Sequence, residues 1–290
     1  MHTSLHAPPD RAPRDNEIDV YGLTHPGKMR KDNQDHFLIC SLRKQMVLRQ
    51  TSLPHAAQLV SEPERIASLA MVADGVGGAA KGAEASRIAL EAVTRYVTSS
   101  MRCYYAQESA EDGEFSQALQ DGALQCHRQL LQQGEAKPEY RGMATTLTLY
   151  LGVWPRGYLL QVGDSRGYLL KDGELKQITH DQTMAQELVD MGVLPEDRIS
   201  ASPFANTLTS SIGGKQSAPV VTPFEMTWGD VLLICSDGIT KHVPDDQLRD
   251  RLRSMKSARQ VCEDLLQDAL DAGGSDNITL VVGRAIPRDG

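Results

Sequence analysis

Six Asp-Gly pairs occur in this sequence of 290 residues, and two of them have a setting that the other four lack. Met71-Val72-Ala73 runs into Asp74-Gly75-Val76-Gly77-Gly78, and Val231-Leu232-Leu233-Ile234-Cys235-Ser236 runs into Asp237-Gly238. In each, an apolar strand-like run delivers a carboxylate to its end, and the glycine after it lets the backbone turn sharply and approach a ligand. The pairs at Asp112, Asp121 and Asp289 have no buried run before them, and Asp172-Gly173 reads as a hairpin turn. A plain turn is the alternative for Asp74 and Asp237 too. Asp35, just before the apolar run 36–40, and Asp276, just before 278–282 and after Gly273-Gly274, extend the pattern. Four carboxylates gathered at strand ends repel one another unless cations sit among them, so convergence predicts metal. Oxygen donors without a Cys/His cluster favour Mg²⁺ or Mn²⁺ over zinc.

The elements that must position these residues are short. Apolar runs rich in β-branched residues and bounded by Gly, Asp or Pro predict strands at 20–23, 36–40, 69–73, 145–153, 158–162, 167–171, 174–177, 231–235 and 278–282. Stripes at helical spacing run through Ala85, Ile88, Ala89, Ala92, Val93, Tyr96 and Val97, and through Phe115, Leu119, Ala123, Cys126 and Leu130. A third, through Val261, Cys262, Leu265, Leu266 and Ala269, stops at Gly273-Gly274. Strands with hairpin links and a few long helices predict an α+β chain of antiparallel sheets covered by helices. One domain is expected over 18–286, behind a polar, proline-containing tail at 1–17 that reads as disordered. Residues 41–67, with Pro54 and Pro63, read as an insertion between strands. Residues 181–215, with weak helix character near 184–191, read as a flap, since loops of this length are often lids.

Composition narrows the function further. Acidic residues outnumber basic ones, 38 to 30, which argues against a nucleic-acid partner. No run approaches the length of a membrane span, and the N-terminus has no signal-peptide core. The five cysteines, Cys40, Cys103, Cys126, Cys235 and Cys262, are odd in number and widely spread, as in a reducing compartment. A cytoplasmic monomer is expected.

Seven ordered segments then resemble the motifs of the type 2C (PPM) metal-dependent serine/threonine protein phosphatases, in their bacterial-like branch. They are Arg30-Lys31-Asp32-Asn33-Gln34-Asp35, Val72-Ala73-Asp74-Gly75-Val76-Gly77-Gly78, Gly142-Met143-Ala144-Thr145-Thr146, Gly163-Asp164-Ser165-Arg166, Asn206-Thr207-Leu208-Thr209, Ser236-Asp237-Gly238 and Ser275-Asp276-Asn277. The resemblance covers about 18–284. It implies a four-layer α-β-β-α sandwich, two mostly antiparallel sheets flanked by helices, with two Mn²⁺ or Mg²⁺ ions in a cleft at one end. It also implies roles: Asp74 bridges the metals, the Gly75 carbonyl is a further ligand, Asp237 and Asp276 hold one metal, and Asp35 acts on the other. Arg30 would grip phosphate, a task suited to its planar fork. The implied reaction is hydrolysis of phosphoserine and phosphothreonine by metal-activated water, without a covalent phospho-enzyme and in opposition to a Ser/Thr kinase. Phosphorylated proteins are the implied partners.

The sequence departs from the family pattern at three places. Val76 stands where many animal members carry a histidine proposed as general acid. Lys241 stands where an aspartate would join Asp164 in a third, weaker metal site, and its ammonium weakens or rearranges that site. Ser210 stands where an arginine is common. His25, His36, His180 and His242 are available as proton donors, with structural or solvated roles as the simpler expectation. A binding protein that has lost turnover, or a hydrolase of nucleotides or small phosphate esters, are the competing readings. An Asp-x-Asp nucleophile pair after a strand, the mark of a phosphoaspartate-type hydrolase, is missing.

Overall fold

The computed structural model describes residues 11–52, 54, 63–100 and 112–288. Cys103 and the Asp289-Gly290 pair lie outside them. The elements run β1 (Ile18–His25), β2 (His36–Lys44), β3 (Glu64–Ala73), β4 (Gly75–Val76), α1 (Ala79–Ser100), α2 (Asp112–Ala136), β5 (Ala144–Thr145), β6 (Leu147–Val153), β7 (Arg156–Val162), β8 (Arg166–Lys171), β9 (Glu174–Gln177), α3 (Met184–Asp190), β10 (Val220–Glu225), β11 (Val231–Cys235), α4 (Asp237–Thr240), α5 (Asp245–Arg253), α6 (Ala258–Asp271) and β12 (Ile278–Ala285). Two antiparallel sheets form, in the orders β1-β12-β11-β8-β9 and β10-β7-β6-β3-β2, and β4 and β5 make a separate small ladder.

Strand alternation sorts the side chains into layers. On β3, Leu69, Met71 and Ala73 face α1 and α2, while Ala70 and Val72 face the other sheet. On β11, Val231, Leu233 and Cys235 face the helices α5 and α6, while Ile234 faces inward against Val281 of β12. The central strands are therefore buried on both faces, which is why they read as unbroken apolar runs. The result is the four-layer α-β-β-α sandwich that the sequence implied, with α1 and α2 on one sheet and α4, α5 and α6 on the other.

Several boundaries differ from the sequence reading. Strands β2 and β3 continue to Lys44 and from Glu64, so the stretch assigned to an insertion at 41–67 is in part a longer hairpin. Its exposed, charged end carried no apolar signal. Residues 11–17 were expected in a disordered tail, yet they are held to the body. Glu17 is 2 % exposed, takes both Arg11 guanidinium nitrogens at 2.6 Å, and offers its carbonyl to the Ile286 amide at 2.8 Å. Edge strand β10 was not anticipated, because Pro223 interrupts its run; an edge position tolerates the missing donor. Helix α5 was also missed, since only Leu248 and Leu252 mark its buried side.

Leu149, fully buried on the helix-facing side of β6, tests the packing of these layers. Leu149→Ala is expected to destabilise the chain by about 2–5 kcal/mol. Urea unfolding followed by fluorescence of Trp154 and Trp228 measures it, and an unchanged midpoint would contradict the layer assignment.

Candidate metal centre

Strand register gathers the predicted carboxylates at one end of the sandwich. His36, first of β2, pairs with Ala73, last of β3, so Asp35 and Asp74 are neighbours one residue beyond each. Cys235, last of β11, pairs with Leu280 of β12 and with Arg166, first of β8. That brings Asp237, Asp276 and Asp164 to the same end of the other sheet. Asp74 sits among them. Burial pushes its carboxyl well above the usual carboxylate range, and the charges of Asp35, Asp237, Asp164 and Asp276 push it further.

The other members feel the same crowding. Burial raises Asp35 to about 6, with Asp237 adding to it and hydrogen bonds from Ser236 and Thr279 opposing. Burial raises Asp164 to about 8, with Asp237 and Asp181 adding and Lys241 opposing. Asp237 is also raised by burial, against the pull of Lys241. Burial works against the charge of Asp276 too, but Lys241 and Arg30 hold it below its ordinary range.

The backbone that carries these groups is fastened by the polar residues of the same motifs. The Asp74 carbonyl accepts from the Thr146 amide and the Thr145 hydroxyl, each at 2.8 Å, and the Asp74 amide donates to Thr146 Oγ1 at 3.0 Å. The Ser236 hydroxyl donates to Asp35 Oδ2 at 2.7 Å and accepts from the Thr279 amide at 3.0 Å. Asn277 accepts from the Gln34 amide at 2.9 Å and donates to the Pro26 and Asp32 carbonyls at 3.0 Å, tying the Arg30 loop to β12. Thr146, Ser236 and Asn277 lie inside the motifs, but sequence reasoning gave them no role. The Asp164 turn is held by Gln182 of the flap, whose side chain accepts from the Gly163 amide at 2.8 Å.

The glycines after Asp74 and Asp237 serve close approach. A Cβ on Gly75 would stand 2.2 Å from the Gly82 carbonyl oxygen of α1, and one on Gly238 would stand 1.9 Å from that of Asn277. Neither contact tolerates a side chain. The Gly75 carbonyl, a predicted ligand, and that of Gly78 lie 3.2 Å from the Gln34 side-chain amide, which places its nitrogen on that side.

Two side-chain cations face the cluster. Arg30 grips Asp276 with both prongs, Nε to Oδ1 at 2.9 Å and Nη2 to Oδ2 at 3.0 Å, with half of its side chain exposed. Lys241, at the end of α4, places Nζ 2.5 Å from Asp237 Oδ2 and 3.0 Å from Asp276 Oδ2.

The donor set suits a hard divalent cation. All side-chain donors are carboxylate oxygens, and two of them, Asp35 Oδ1 and Asp237 Oδ1, are buried without a hydrogen-bond partner. Buried carboxylate oxygens rarely stay unpaired, so a cation is the natural partner for these two. As they stand, no three Asp, Glu, His or Cys side chains among the described residues close on a single point. Asp237 and Asp276 are turned to Lys241 instead.

The four histidines each have local partners. His25 Nδ1 accepts from the Gly27 amide, His36 contacts Ser86, His180 contacts Asp190 and His242 contacts Ser275. The flap carries α3, capped by Thr183, whose hydroxyl accepts from the Gln186 amide at 3.2 Å. A bridge from Thr145 to Ile212 ties the flap to β5, and one from Thr183 to Leu208 closes the flap on itself. Ser210 is buried, its hydroxyl accepting from the Ala218 amide at 2.9 Å.

Comparison with known proteins adds to this geometry. The protein phosphatase 2C family model matches residues 56–277. Serine/threonine protein phosphatase PstP of Mycobacterium tuberculosis is 34% identical over 223 residues, which is 77% of this chain and 41% of the relative. The chain thus spans about two-fifths of that protein's length. Serine/threonine phosphatase stp of Listeria welshimeri is 32% identical over 217 residues, covering 74% of this chain and 83% of the relative. The crystal structure of the PstP catalytic domain in complex with two manganese ions superposes with a TM-score of 0.70 at 28% identity, covering 93% of this chain and 99% of that one.

The raised carboxyls set a pH dependence. Asp164 lies near 8 in the folded chain against an ordinary 3.8, so over that range the folded chain keeps a proton that the unfolded chain has released. Stability is then full below pH about 4 and is lost as pH rises through about 8. With a chelator present, the melting temperature is expected to fall as pH rises from about 4 to about 8 and to level off above that. Asp164→Asn should flatten this slope; an equal slope in the variant would contradict the assignment.

Proposed function

This chain belongs to the protein phosphatase 2C family, and from that premise we propose that it hydrolyses phosphoserine and phosphothreonine in proteins. The observation that carries the reading is the gathering of Asp35, Asp74, Asp164, Asp237 and Asp276 at one end of the sandwich, with buried carboxylate oxygens left unpaired. The manganese-bearing PstP domain of the same fold supports Mn²⁺ or Mg²⁺ as the cofactor.

Asp74 and the Gly75 carbonyl would serve as ligands to the ions. Asp237 and Asp276 would hold one of them, and Asp35, steadied by Ser236, would act on the other. Bound there, the ions supply Lewis-acid charge and an activated water for in-line attack on phosphorus. Arg30 leaves Asp276 to take two phosphoryl oxygens, and its exposure allows that swing. Asp164 offers a third, weaker place, because Lys241 faces it. The flap covers the cleft and contributes to substrate choice.

A phosphorylated protein is the substrate class, and a Ser/Thr kinase is the opposing activity. The described cysteines Cys40, Cys126, Cys235 and Cys262 are all free, and no helix among the described residues is long and apolar enough to cross a membrane. The free cysteines fit the reducing, cytoplasmic location that we propose.

Phosphate release from a phosphothreonine peptide with Mn²⁺, set against nucleotides and small phosphate esters, tests the reading. Release from the peptide in preference to nucleotides is expected, and none at any Mn²⁺ concentration would overturn it. Asp237→Asn should lower the rate about tenfold or more at limiting Mn²⁺, with partial recovery at high Mn²⁺. Arg30→Ala should act mainly on KM, raising it about tenfold or more through loss of a charge-assisted pair. A wild-type rate for Asp237→Asn at limiting Mn²⁺ would remove that residue from the site.

A further inference from the structure

Lys241 is the only lysine or arginine among the described residues that pairs with two of the gathered carboxylates at once. Its backbone is fixed, with its amide donating to the Asp237 carbonyl at 2.8 Å one turn back along α4. Its stem is not fixed in the same way, since 28% of the side chain is exposed. The ammonium touches Oδ2 of Asp237 and Oδ2 of Asp276, the two carboxylates that reach the cluster from β11 and β12. It also acts on Asp164, the carboxylate of the neighbouring β7–β8 turn.

Two physical consequences follow from those distances. A divalent ion bonds carboxylate oxygens at about 2.0–2.6 Å, and an ammonium already within hydrogen-bonding distance of the same oxygens repels it. A carboxylate cluster this crowded also destabilises the folded chain through like-charge repulsion unless a cation is present. A tethered ammonium provides that cation at an effective concentration set by its tether and independent of the ions in solution, because it is part of the chain. Arg30 cannot substitute, for it reaches only Asp276 and from the solvent side.

We propose that Lys241 is a tethered competitor for the metal site: it neutralises Asp237 and Asp276 in the absence of divalent ions and weakens divalent-ion binding by holding the same oxygens. The proposal rests on the two-metal reading above and names the residue that sets its affinity. Entry of an ion then turns the ammonium away from Asp237 and Asp276, with Asp164 the carboxylate left to receive it. The chain would persist in a folded, unloaded form and load over a range of metal concentration that Lys241 determines.

The test uses the whole chain and reads metal binding and stability, neither of which needs turnover. Wild type, Lys241→Met and Lys241→Arg are titrated with Mn²⁺ by calorimetry, and each is melted in EDTA. Lys241→Met should bind Mn²⁺ about tenfold more tightly or better and melt at a lower temperature in EDTA. Lys241→Arg keeps the charge, so it should keep the wild-type EDTA melting temperature and the weaker affinity. If Lys241→Met matches wild type in both readouts while wild type binds Mn²⁺, the proposal is overturned and the two-metal reading stands. If Lys241→Arg instead behaves like Lys241→Met, charge is not the cause and the proposal fails. If wild type binds no Mn²⁺ at all, both readings fall together.

Discussion

Like-charge crowding is the constraint on which the rest of this molecule turns. Five carboxylates converge on a partly buried end of a β-sandwich, and the environment of Asp74 includes the charges of the other four. In water such a cluster would disperse. Here it cannot, because each aspartate lies one or two residues from a strand whose register is fixed by its neighbours in the sheet. The free energy that holds the carboxylates together comes from the apolar layers behind them, where Met71, Leu149, Leu233 and Val282 are fully buried. The fold thus works against electrostatics at one end and recovers that cost when a cation enters. Lys241, paired with both Asp237 and Asp276, relieves part of that repulsion from within the chain.

Holding the carboxylates in place also demands a backbone that does not move. The hydrogen bonds from Thr145 and Thr146 to Asp74, from Ser236 to Asp35 and from Asn277 across to the Arg30 loop link the two sheets' ends into one frame. Gly75 and Gly238 let that frame close, since each places its chain against a carbonyl of another segment. Precision in the first layer of ligands depends on such outer contacts. The motifs are therefore units of geometry, with one residue to bind and its neighbours to aim it.

Much of this was legible in the sequence. Apolar runs ending in Asp-Gly showed where strands deliver carboxylates, and β-branched apolar runs bounded by Gly, Asp or Pro predicted strands, several of which the structure extends by a few residues. The glycines were visible but for an incomplete reason: at Gly75 and Gly238 the need is close approach between backbones, which no local pattern reveals. Features that depend on tertiary contact were not legible. Strand β10 is held at a sheet edge despite Pro223, α5 needs only Leu248 and Leu252 on its buried side, and residues 11–17 are anchored by the Arg11–Glu17 pair and by a cation–π contact of Arg11 with Trp228. The identity of Lys241 was plain in the sequence, and its position suggested repulsion of a third ion. Its grip on Asp237 and Asp276 was not, because that depends on how α4 leaves β11 beside the start of β12.

The two side-chain cations of the site divide its work by their chemistry. Arg30 meets Asp276 from outside with a planar fork, the geometry that also suits a phosphoryl group, and its exposure leaves it free to exchange one oxyanion for another. Lys241 meets Asp237 and Asp276 from within as a compact point charge, the form that mimics a metal ion more than it recognises a phosphate. A lysine at position 30 would lose the planar fork that pairs with two oxygens at once. The arrangement therefore puts the more exposed guanidinium on the outer side of Asp276 and the less exposed ammonium between Asp237 and Asp276.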